Sequence, residues 1–317
     1  MTGAYLYRIL RREGYDAHLF DRERMTRCGL TPCAWGTSKG FAELVEGAGL
    51  DAEKYILRRF NYVLMDDVRI PADLMTFDKP RLVRDLLGDA VVRFTPIPAR
   101  RYHRIIDATG MSRALLPPIE DDIMLGCRQY LVETEEPLEN RIKLGGIGYA
   151  WCFPLSHNLY HIGCGSLLAD PQRVIEALGW IDLTSSRRER RVRCSCAGKI
   201  RLTGPYQSLP FVADGFGNGI WGIGEAIGCV APLAGDGVVP GMHNVRLLMK
   251  NWDSPQEYTK AVLSEFRWMK DERAVIDKFR NSKGLGIREA RVLRRNSKRM
   301  GMQVGLKEAA ALLKNLR

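Results

Sequence analysis

The sequence lacks the segments that place a protein in or across a membrane. It has no run of about 18 uncharged apolar residues, the minimum that a spanning helix needs. Its first twenty residues carry charges throughout, and they lack the apolar stretch of a secretory signal. We therefore predict a cytoplasmic protein.

The eight cysteines lack the paired C-x2-C spacing of a structural zinc site, so we predict free thiols and no metal. Acidic residues are in deficit: 37 against 48 Lys and Arg, for a net charge of +11. The excess is concentrated in residues 187–193 and 288–317. No aromatic residues are interleaved with these clusters, and no zinc-finger or RNP pattern is present, so we do not expect nucleic-acid binding. The clusters are either solvated faces or a peripheral contact with an anionic membrane surface.

The first 21 residues predict a helix, a turn and a short strand, followed by an acidic residue. Apolar residues recur at helical spacing over residues 5–10, Gly14 ends the helix, and residues 17–20 form an apolar run before Asp21. A dinucleotide-binding βαβ unit has this order after a first strand and a G-x-G-x-x-G turn, with an acid roughly 20 positions on for a ribose hydroxyl. If Gly3 is the third glycine, the first strand and two glycines would precede Met1. The alternative is an ordinary surface helix.

Two further segments favour a bound nucleotide. In RIIDATG, residues 104–110, a buried strand ends at Gly110, where the missing side chain lets a flat cofactor approach the backbone. In WGIGEAIGCVAPLAGDGV, residues 221–238, a strand leads through Glu225 and a glycine-rich turn to a helix. The acid would lie near a ribose or ribityl chain, and the helix start near a phosphate or a flavin carbonyl. A glycine-rich loop without a ligand is the alternative.

The segment GYAWCFP, residues 148–154, alternates aromatic and small residues. Tyr149, Trp151 and Phe153 therefore point to the same face of a predicted strand. That face is either packed core or the wall of an apolar pocket. Short strands separated by turn residues surround this segment and predict an antiparallel sheet.

Taken in this order, the segments resemble the geranylgeranyl reductase family of FAD-dependent oxidoreductases, within the para-hydroxybenzoate-hydroxylase-like flavoprotein fold. The resemblance covers roughly residues 1–250. GYAWCFP is similar to the family's Tyr-x-Trp-x-Phe-Pro substrate-pocket motif, and PCAWG, residues 32–36, to a cysteine-containing loop near the flavin. Glu225 stands where the family usually has Asp, and the stretch between Leu87 and Ile105 is short for the family.

The resemblance implies FAD as the cofactor and assigns roles to individual residues. Cys33 is the implied catalytic thiol, with a buried inert cysteine as the alternative. The implied substrate-binding residues are Tyr149, Trp151, Phe153 and Pro154. The implied FAD-binding residues are Gly3, Asp21, Arg81, Ala108, Thr109, Gly110, Gly224, Glu225, Pro232, Gly235, Gly237 and Val238.

We therefore predict an α/β fold in which a Rossmann-like FAD-binding domain is assembled from residues 1–30, 77–116 and 215–252. Residues 117–214 would form an inserted antiparallel substrate-binding sheet, and residues 253–317 a C-terminal helical region.

The function that the resemblance implies is saturation of carbon–carbon double bonds in an isoprenoid (geranylgeranyl) lipid. Because no second dinucleotide fingerprint is present, electrons would come from transiently bound NAD(P)H or from a ferredoxin. Two alternatives remain open: a flavin-dependent monooxygenase or halogenase, and a flavin-free remnant that binds lipid or a protein partner.

Overall fold

A computed structural model describes residues 1–22, 33–145, 147–181, 190–215, 217 and 219–315. The helices are α1 Thr2–Arg12, α2 Phe41–Gly47, α3 Lys79–Leu87, α4 Pro171–Ala177, α5 Val238–Lys250, α6 Pro255–Glu265, α7 Arg267–Arg280, α8 Ile287–Arg299 and α9 Leu306–Asn315. The strands are β1 Leu19–Phe20, β2 Gly36–Thr37, β3 Ile56–Met65, β4 Val68–Phe77, β5 Val92–Arg93, β6 Ile105–Asp107, β7 Met124–Thr134, β8 Arg141–Leu144, β9 Gly148–Pro154, β10 Leu159–Ser166, β11 Arg190–Arg201, β12 Val212–Ala213 and β13 Ile220–Gly222. Among the described helices, none has the length and apolar character to cross a membrane.

An eight-stranded sheet dominates the fold, in the order β11-β7-β10-β9-β8-β3-β4-β2. Its pairs are antiparallel except for β3 with β8. The antiparallel sheet predicted for the middle of the chain is therefore present. It also takes in β2, β3 and β4, which the sequence analysis left outside its three regions.

Two small sheets accompany it. In one, β6 pairs in parallel with β13, which is flanked by β12; in the other, β1 pairs in parallel with β5. A doubly wound fold has the strand order 3-2-1-4-5, so β5, β1, β6 and β13 correspond to strands 3, 2, 4 and 5. Within the described residues, no strand pairs with the edge that β1 and β6 each leave open. The predicted place of a first strand therefore lies between these two edges.

Three apolar clusters hold the elements together. The first joins α1, α2, α3, α5 and α6 around the small sheets, with Tyr5, Phe41 and Trp221 fully buried. The second packs α7, α8 and α9 against one face of the large sheet. The third lies on the opposite face of that sheet, beneath α4.

Local sequence signals account for the ends of several helices. The Asp78 carboxylate accepts a hydrogen bond from the N–H of Arg81 at 3.0 Å, and Pro80 lies in the first turn of α3. Both features are typical of a helix start, because an N-cap acid accepts a free N–H group and proline lacks the N–H that would otherwise be unpaired.

Candidate functional site

Three segments that are far apart in the sequence meet at the start of α1. The side chain of Thr2 lies against Gly224 and Gly241, and a Cβ on Gly224 would stand 2.8 Å from Thr2 Oγ1. A Cβ on Gly3 would stand 3.0 Å from Cβ of Ala108, so the helix packs directly on the end of β6. This close helix–strand packing is the role of the third glycine in a dinucleotide fingerprint. We call Thr2, Gly3, Ala108, Gly224 and Gly241 the glycine junction.

The start of α1 suits an anion. The helix begins without a side-chain cap, and its first turn contains no acidic residue. Its first N–H groups, which have no partner within the helix, therefore meet no competing carboxylate from the same turn. The predicted nucleotide-binding end of α1 thus has the donors that a pyrophosphate requires.

Gly110 and Glu225 lie side by side next to the glycine junction. Gly110 has a φ of 65°, and a Cβ there would stand 3.3 Å from Oε2 of Glu225. The other carboxylate oxygen accepts the backbone N–H of Arg201 at 2.9 Å. Burial raises the pKa of Glu225, and the hydrogen bond and charge of Arg201 partly oppose this rise.

Arg201 is a residue of this region that the sequence analysis missed. Its guanidinium is bonded to the Asp122 carboxylate, and it donates to the carbonyls of Met111 at 2.8 Å and Glu225 at 2.7 Å. A single arginine at the end of a strand carries no local signal, because its partners come from distant segments. Its bonds fix the segments after β6 and β13 to the large sheet.

The turn after β6 is held by Asp107, which is fully buried. Its carboxylate accepts the N–H and hydroxyl of Thr109 at 3.0 and 2.6 Å, and the N–H of Leu115 at 2.9 Å. The hydroxyl of Thr109 therefore belongs to the turn itself. Thr109 shapes the approach to Gly110 through its backbone.

The loop from Ala231 to Gly237 contains a second buried acid, Asp236. Its carboxylate accepts the N–H of Val238 at 2.8 Å and the hydroxyl of Ser38 at 3.3 Å. Burial raises the pKa of Asp236, which the hydrogen bonds from Val238, Val239 and Ser38 partly offset. The start of α5, predicted to face a phosphate or a flavin carbonyl, therefore already binds this carboxylate. The remaining predicted residues of the loop are Pro232, which is buried, and Gly235 and Gly237, whose added Cβ atoms would contact Tyr149 and Val230.

The aromatic residues of β9 lie on one face of the large sheet, as predicted. Tyr149, Trp151 and Phe153 are opposite Gly165, Gly163 and His161 of β10, and directly opposed residues share a face. The hydroxyl of Tyr149 donates to the carbonyl of Ala234, which ties this face to the loop before α5. Pro154, the last residue of the motif, accepts the buried hydroxyl of Thr76 at 2.8 Å through its carbonyl.

Residues 33–36 form a loop above the same face. A Cβ on Gly36 would stand 3.1 Å from Cε2 of Phe153, and the ring of Trp35 lies 4.6 Å from that of His161 at 78°. Nδ1 of His161 bonds to the carbonyl of Ala34 at 3.2 Å. Burial lowers the pKa of His161 to about 4, so the ring is neutral at ordinary pH. The Nδ1–H therefore donates this bond.

Cys33 belongs to this loop and is half-buried. Its charge is among the causes that raise the pKa of Tyr149, after burial and the charges of Cys127 and Asp236. Cys33 lies three residues before Gly36, which contacts Phe153 of the aromatic face. Cys28, the cysteine nearest to Cys33 in the sequence, lies outside the described residues.

Lys79 is a second residue that the sequence analysis missed. This lysine begins α3 and is buried. Its charge lowers the pKa of both Glu225 and His161. Lys79 is thus a buried cation whose charge acts on Glu225, beside the glycine junction, and on His161, opposite Phe153 of the aromatic face.

Two predicted residues stand apart from this cluster. Arg81 lies at the exposed start of α3, donates to the carbonyl of Lys54 at 3.0 Å and faces the ring of Tyr55. Asp21 follows β1, where its N–H donates to the carbonyl of Arg93 at 3.0 Å and its carboxylate accepts the N–H of Arg22. Asp21 is at the strand end where a ribose acid is expected, whereas the contacts of Arg81 hold it to the segment before β3.

Two cavities, of about 240 and 140 Å³, lie on the other face of the large sheet. Both are lined by Arg141 and Trp180, and the larger one also by Cys152 and Ile162, which alternate with the residues of the aromatic face. They are therefore separate from the cluster around Cys33 and Tyr149.

Comparison with known proteins yields no matching family model. One relative, an uncharacterized protein of Methanocaldococcus jannaschii, is 23% identical over 93% of this chain and 91% of its own length. The solved structure of a geranylgeranyl bacteriochlorophyll reductase-like protein from Thermoplasma acidophilum matches with a TM-score of 0.63, at 14% identity over 99% of this chain and 87% of that chain.

Two other solved structures are also similar. p-Nitrophenol 4-monooxygenase from Pseudomonas putida gives a TM-score of 0.62, at 10% identity over 99% of this chain and 94% of that chain. The flavin-dependent brominase Bmp2 gives 0.59, at 13% identity over 88% and 84%. At such identities the likeness concerns the fold. The chain has the fold of the flavin-dependent oxidoreductases.

Proposed function

We propose that the protein is an FAD-dependent reductase that saturates carbon–carbon double bonds of isoprenoid chains. The observation that carries the proposal is that the chain between Gly224 and Gly241 of the glycine junction is tied to the aromatic face of the large sheet, through the hydrogen bond from Tyr149 to Ala234. A reductase of this kind needs a nucleotide cradle and a dry apolar groove in contact with each other.

The residues of the junction fit FAD. The uncapped start of α1 supplies N–H groups for the pyrophosphate, and Asp21 stands at the strand end that faces a ribose. Gly110 and Gly224 both have positive φ, and they allow the tight turns after β6 and β13 beside which the start of α1 lies. When bound, FAD supplies hydride equivalents to the substrate double bond.

The chain's own residues would bury and protonate the substrate. Tyr149, Trp151 and Phe153 present one apolar wall that excludes water from a prenyl chain. The thiol of Cys33, beside Tyr149, would deliver the proton that completes saturation.

The electron donor in this proposal is NAD(P)H or a ferredoxin, and the substrate is drawn from an anionic membrane surface. The outward side of α8 supports that contact, because its exposed side chains include Arg288, Arg291, Arg294 and Arg295. The single buried acid of this helix, Glu289, faces inward and pairs with Lys278.

The first experiment is an absorbance spectrum of the purified protein, followed by anaerobic incubation with a reductant and a geranylgeranyl lipid. We expect a flavin band and, by mass spectrometry, a gain of two hydrogens per double bond. A protein that takes up no flavin even when FAD is added would instead be a flavin-free lipid-binding or partner-binding remnant.

Lys79 favours one second candidate, a flavin-dependent halogenase or monooxygenase. A halogenase needs a lysine between flavin and substrate, and Lys79 is a buried lysine at the start of α3. Oxygen uptake with NAD(P)H, together with halide incorporation that Lys79→Met abolishes, would establish the halogenase. Anaerobic double-bond reduction that survives Lys79→Met would exclude it.

A further inference from the structure

Two buried polar groups on the aromatic face have no hydrogen-bond partner. Gln129 on β7 is 4% exposed, and its Oε1 accepts no hydrogen bond from the described residues. Trp151 on β9 is 6% exposed, and its Nε1–H donates to none of them. Burying a donor or an acceptor unpaired is unfavourable, and native proteins rarely do so without a reason.

The two groups lie on the same rung of the sheet. Gly163 on β10 is directly opposite Trp151 on one side and Gln129 on the other. All three residues therefore share a face, and the outer two are separated by two strand spacings, about 10 Å between backbones.

Because Gly163 has no side chain, a neighbouring side chain can occupy the space above its backbone. A Cβ on Gly163 would overlap the six-membered ring and Cε2 of Trp151, so the indole lies across this glycine, with its N–H side above β10. The N–H of Trp151 and Oε1 of Gln129 lie on the two sides of Gly163, and neither forms a hydrogen bond with a described residue. An unused donor and an unused acceptor thus border one place on the apolar face.

The residues beside this rung on the same face of the sheet are uncharged. Those beside Gln129 on β7 are Cys127 and Leu131, and those beside Gly163 on β10 are Gly165 and His161, whose ring is neutral at ordinary pH. A buried phosphate or carboxylate would find no cation among these neighbours, which disfavours an anion at this place. The group that fits is neutral, and it accepts one hydrogen bond and donates another.

We propose that Trp151 and Gln129 form a subsite for a hydroxyl group of the substrate, which accepts the N–H of Trp151 and donates to Oε1 of Gln129. This inference rests on the proposed function for the identity of the apolar chain. It specifies that the substrate enters as an isoprenoid alcohol or another hydroxylated isoprenoid. A pure hydrocarbon would leave both buried groups unpaired, and an isoprenoid diphosphate would bury an unpaired anion.

The test is equilibrium binding to the flavin-loaded protein of three matched probes: geranylgeraniol, its methyl ether, and the hydrocarbon of the same chain that lacks the oxygen. We expect the alcohol to bind at least about tenfold more tightly than either analogue, because a site with unused polar groups rejects ligands that leave them unpaired. The ether retains an acceptor for Trp151 but has no hydrogen for Gln129.

Two variants locate the effect. In Gln129→Leu the preference for the alcohol over the hydrocarbon should fall by at least about fivefold, whereas Gln303→Leu, at an exposed glutamine, should leave it unchanged. Trp151→Phe should reduce the preference by removing the N–H while keeping an aromatic ring. Gln129→Leu should also raise the melting temperature of the ligand-free protein, since it removes a buried, unpaired carbonyl.

Equal binding of the three probes to the parent protein would overturn the subsite, as would absence of binding by all three or a preference that both variants retain. The proposed reaction is judged separately. If the alcohol is preferred as described but its double bonds are not reduced anaerobically, the subsite stands and the reductase fails.

Discussion

At the scale of single residues, we expect replacement of Trp151 to impair substrate reduction strongly and FAD binding only slightly. Its ring lies over Gly163, on the face that carries Tyr149 and Phe153. We expect Trp151→Ala to remove contact area worth a few kcal/mol and to slow reduction of long prenyl substrates more than it weakens FAD binding. Turnover per bound flavin and the flavin absorbance measure the two effects.

A matched control for this variant is Trp180→Ala, on the opposite face of the sheet beside the two cavities. It should leave turnover per bound flavin unchanged. If Trp151→Ala instead loses flavin while turnover per bound flavin stays the same, Trp151 is a core residue.

The thiol of Cys33 gives a second prediction at this scale. A positioned proton donor contributes on the order of a hundredfold, so Cys33→Ser in the flavin-loaded protein should slow double-bond reduction by at least about tenfold. Cys194→Ser is the control, because Cys194 is equally half-buried but lies on the edge strand β11. Wild-type turnover in both variants would make Cys33 a packing residue.

At the scale of elements, local patterns predicted most helices and strands of the structure. The cap at Asp78, the alternation in β9 and the turn at Asp66 and Asp67 are determined by neighbouring residues, so sequence alone reveals them. The pairing of β3 with β8 joins segments far apart in the chain. No local pattern encodes it, and the full extent of the large sheet was therefore missed.

The open edges of β1 and β6 give a prediction for an added element. A designed segment before Met1, consisting of a β-strand and a G-x-G turn, should pair with both edges and raise FAD affinity strongly. The same segment with prolines in the strand should not, because proline removes the hydrogen bonds of a central strand. FAD titration of the three proteins measures this; equal flavin occupancy would refute the prediction.

Glu272 links α7 to two other elements and should make stability depend on pH. Its Oε2 accepts the N–H of Leu233 at 3.4 Å, and Oε1 lies 3.6 Å from Arg299 of α8. Burial raises the pKa of Glu272 from 4.5 to about 8. The folded state therefore binds more protons than the unfolded state between these pH values, and the contribution to stability falls as pH rises from 4.5 to 8.

In Glu272→Gln this loss should disappear, so the variant should gain stability relative to the parent as pH rises from 5 to 9. Chemical denaturation across that range measures the difference. Glu265→Gln, at a partly exposed carboxylate, should follow the parent. Parallel pH profiles for the parent and Glu272→Gln would show that Glu272 is ionised in the folded protein throughout.

At the scale of the whole molecule, the protein has a net charge of +11, and several of its exposed cations lie on α8. The exposed cations of α8 share this helix with a strongly exposed apolar residue, Ile287, which is 71% exposed. We expect the protein to sediment with vesicles containing anionic phospholipid, but not with neutral ones, and to be released by salt.

Replacing Arg288, Arg291 and Arg295 by Glu should abolish this sedimentation. The same reversal at Lys54, Arg58 and Arg84, exposed on other elements, should retain much of it. Equal loss in both triple variants would mean that overall charge, and not the surface of α8, governs the association.

The candidate site shows how far sequence interpretation reaches at this scale. Motifs identified Gly3 and Gly110, which the structure places at the glycine junction or beside it, and Tyr149, which bonds to the loop before α5. Arg201 and Lys79 were not identified, because their importance comes only from burial among distant segments. A residue whose partners are all remote has no signature in its own neighbourhood.

Thr2, held between Gly224 and Gly241, has a consequence for the order of folding. About 220 to 240 residues separate the two sides of this contact. Contacts of such long sequence separation form slowly because loop closure must precede them. During synthesis α1 emerges long before α5, so its contact with Gly241 forms only after α5 has been made. The large sheet, whose strands come between them, can form earlier, so the cradle for the nucleotide should be among the last parts of the molecule to assemble.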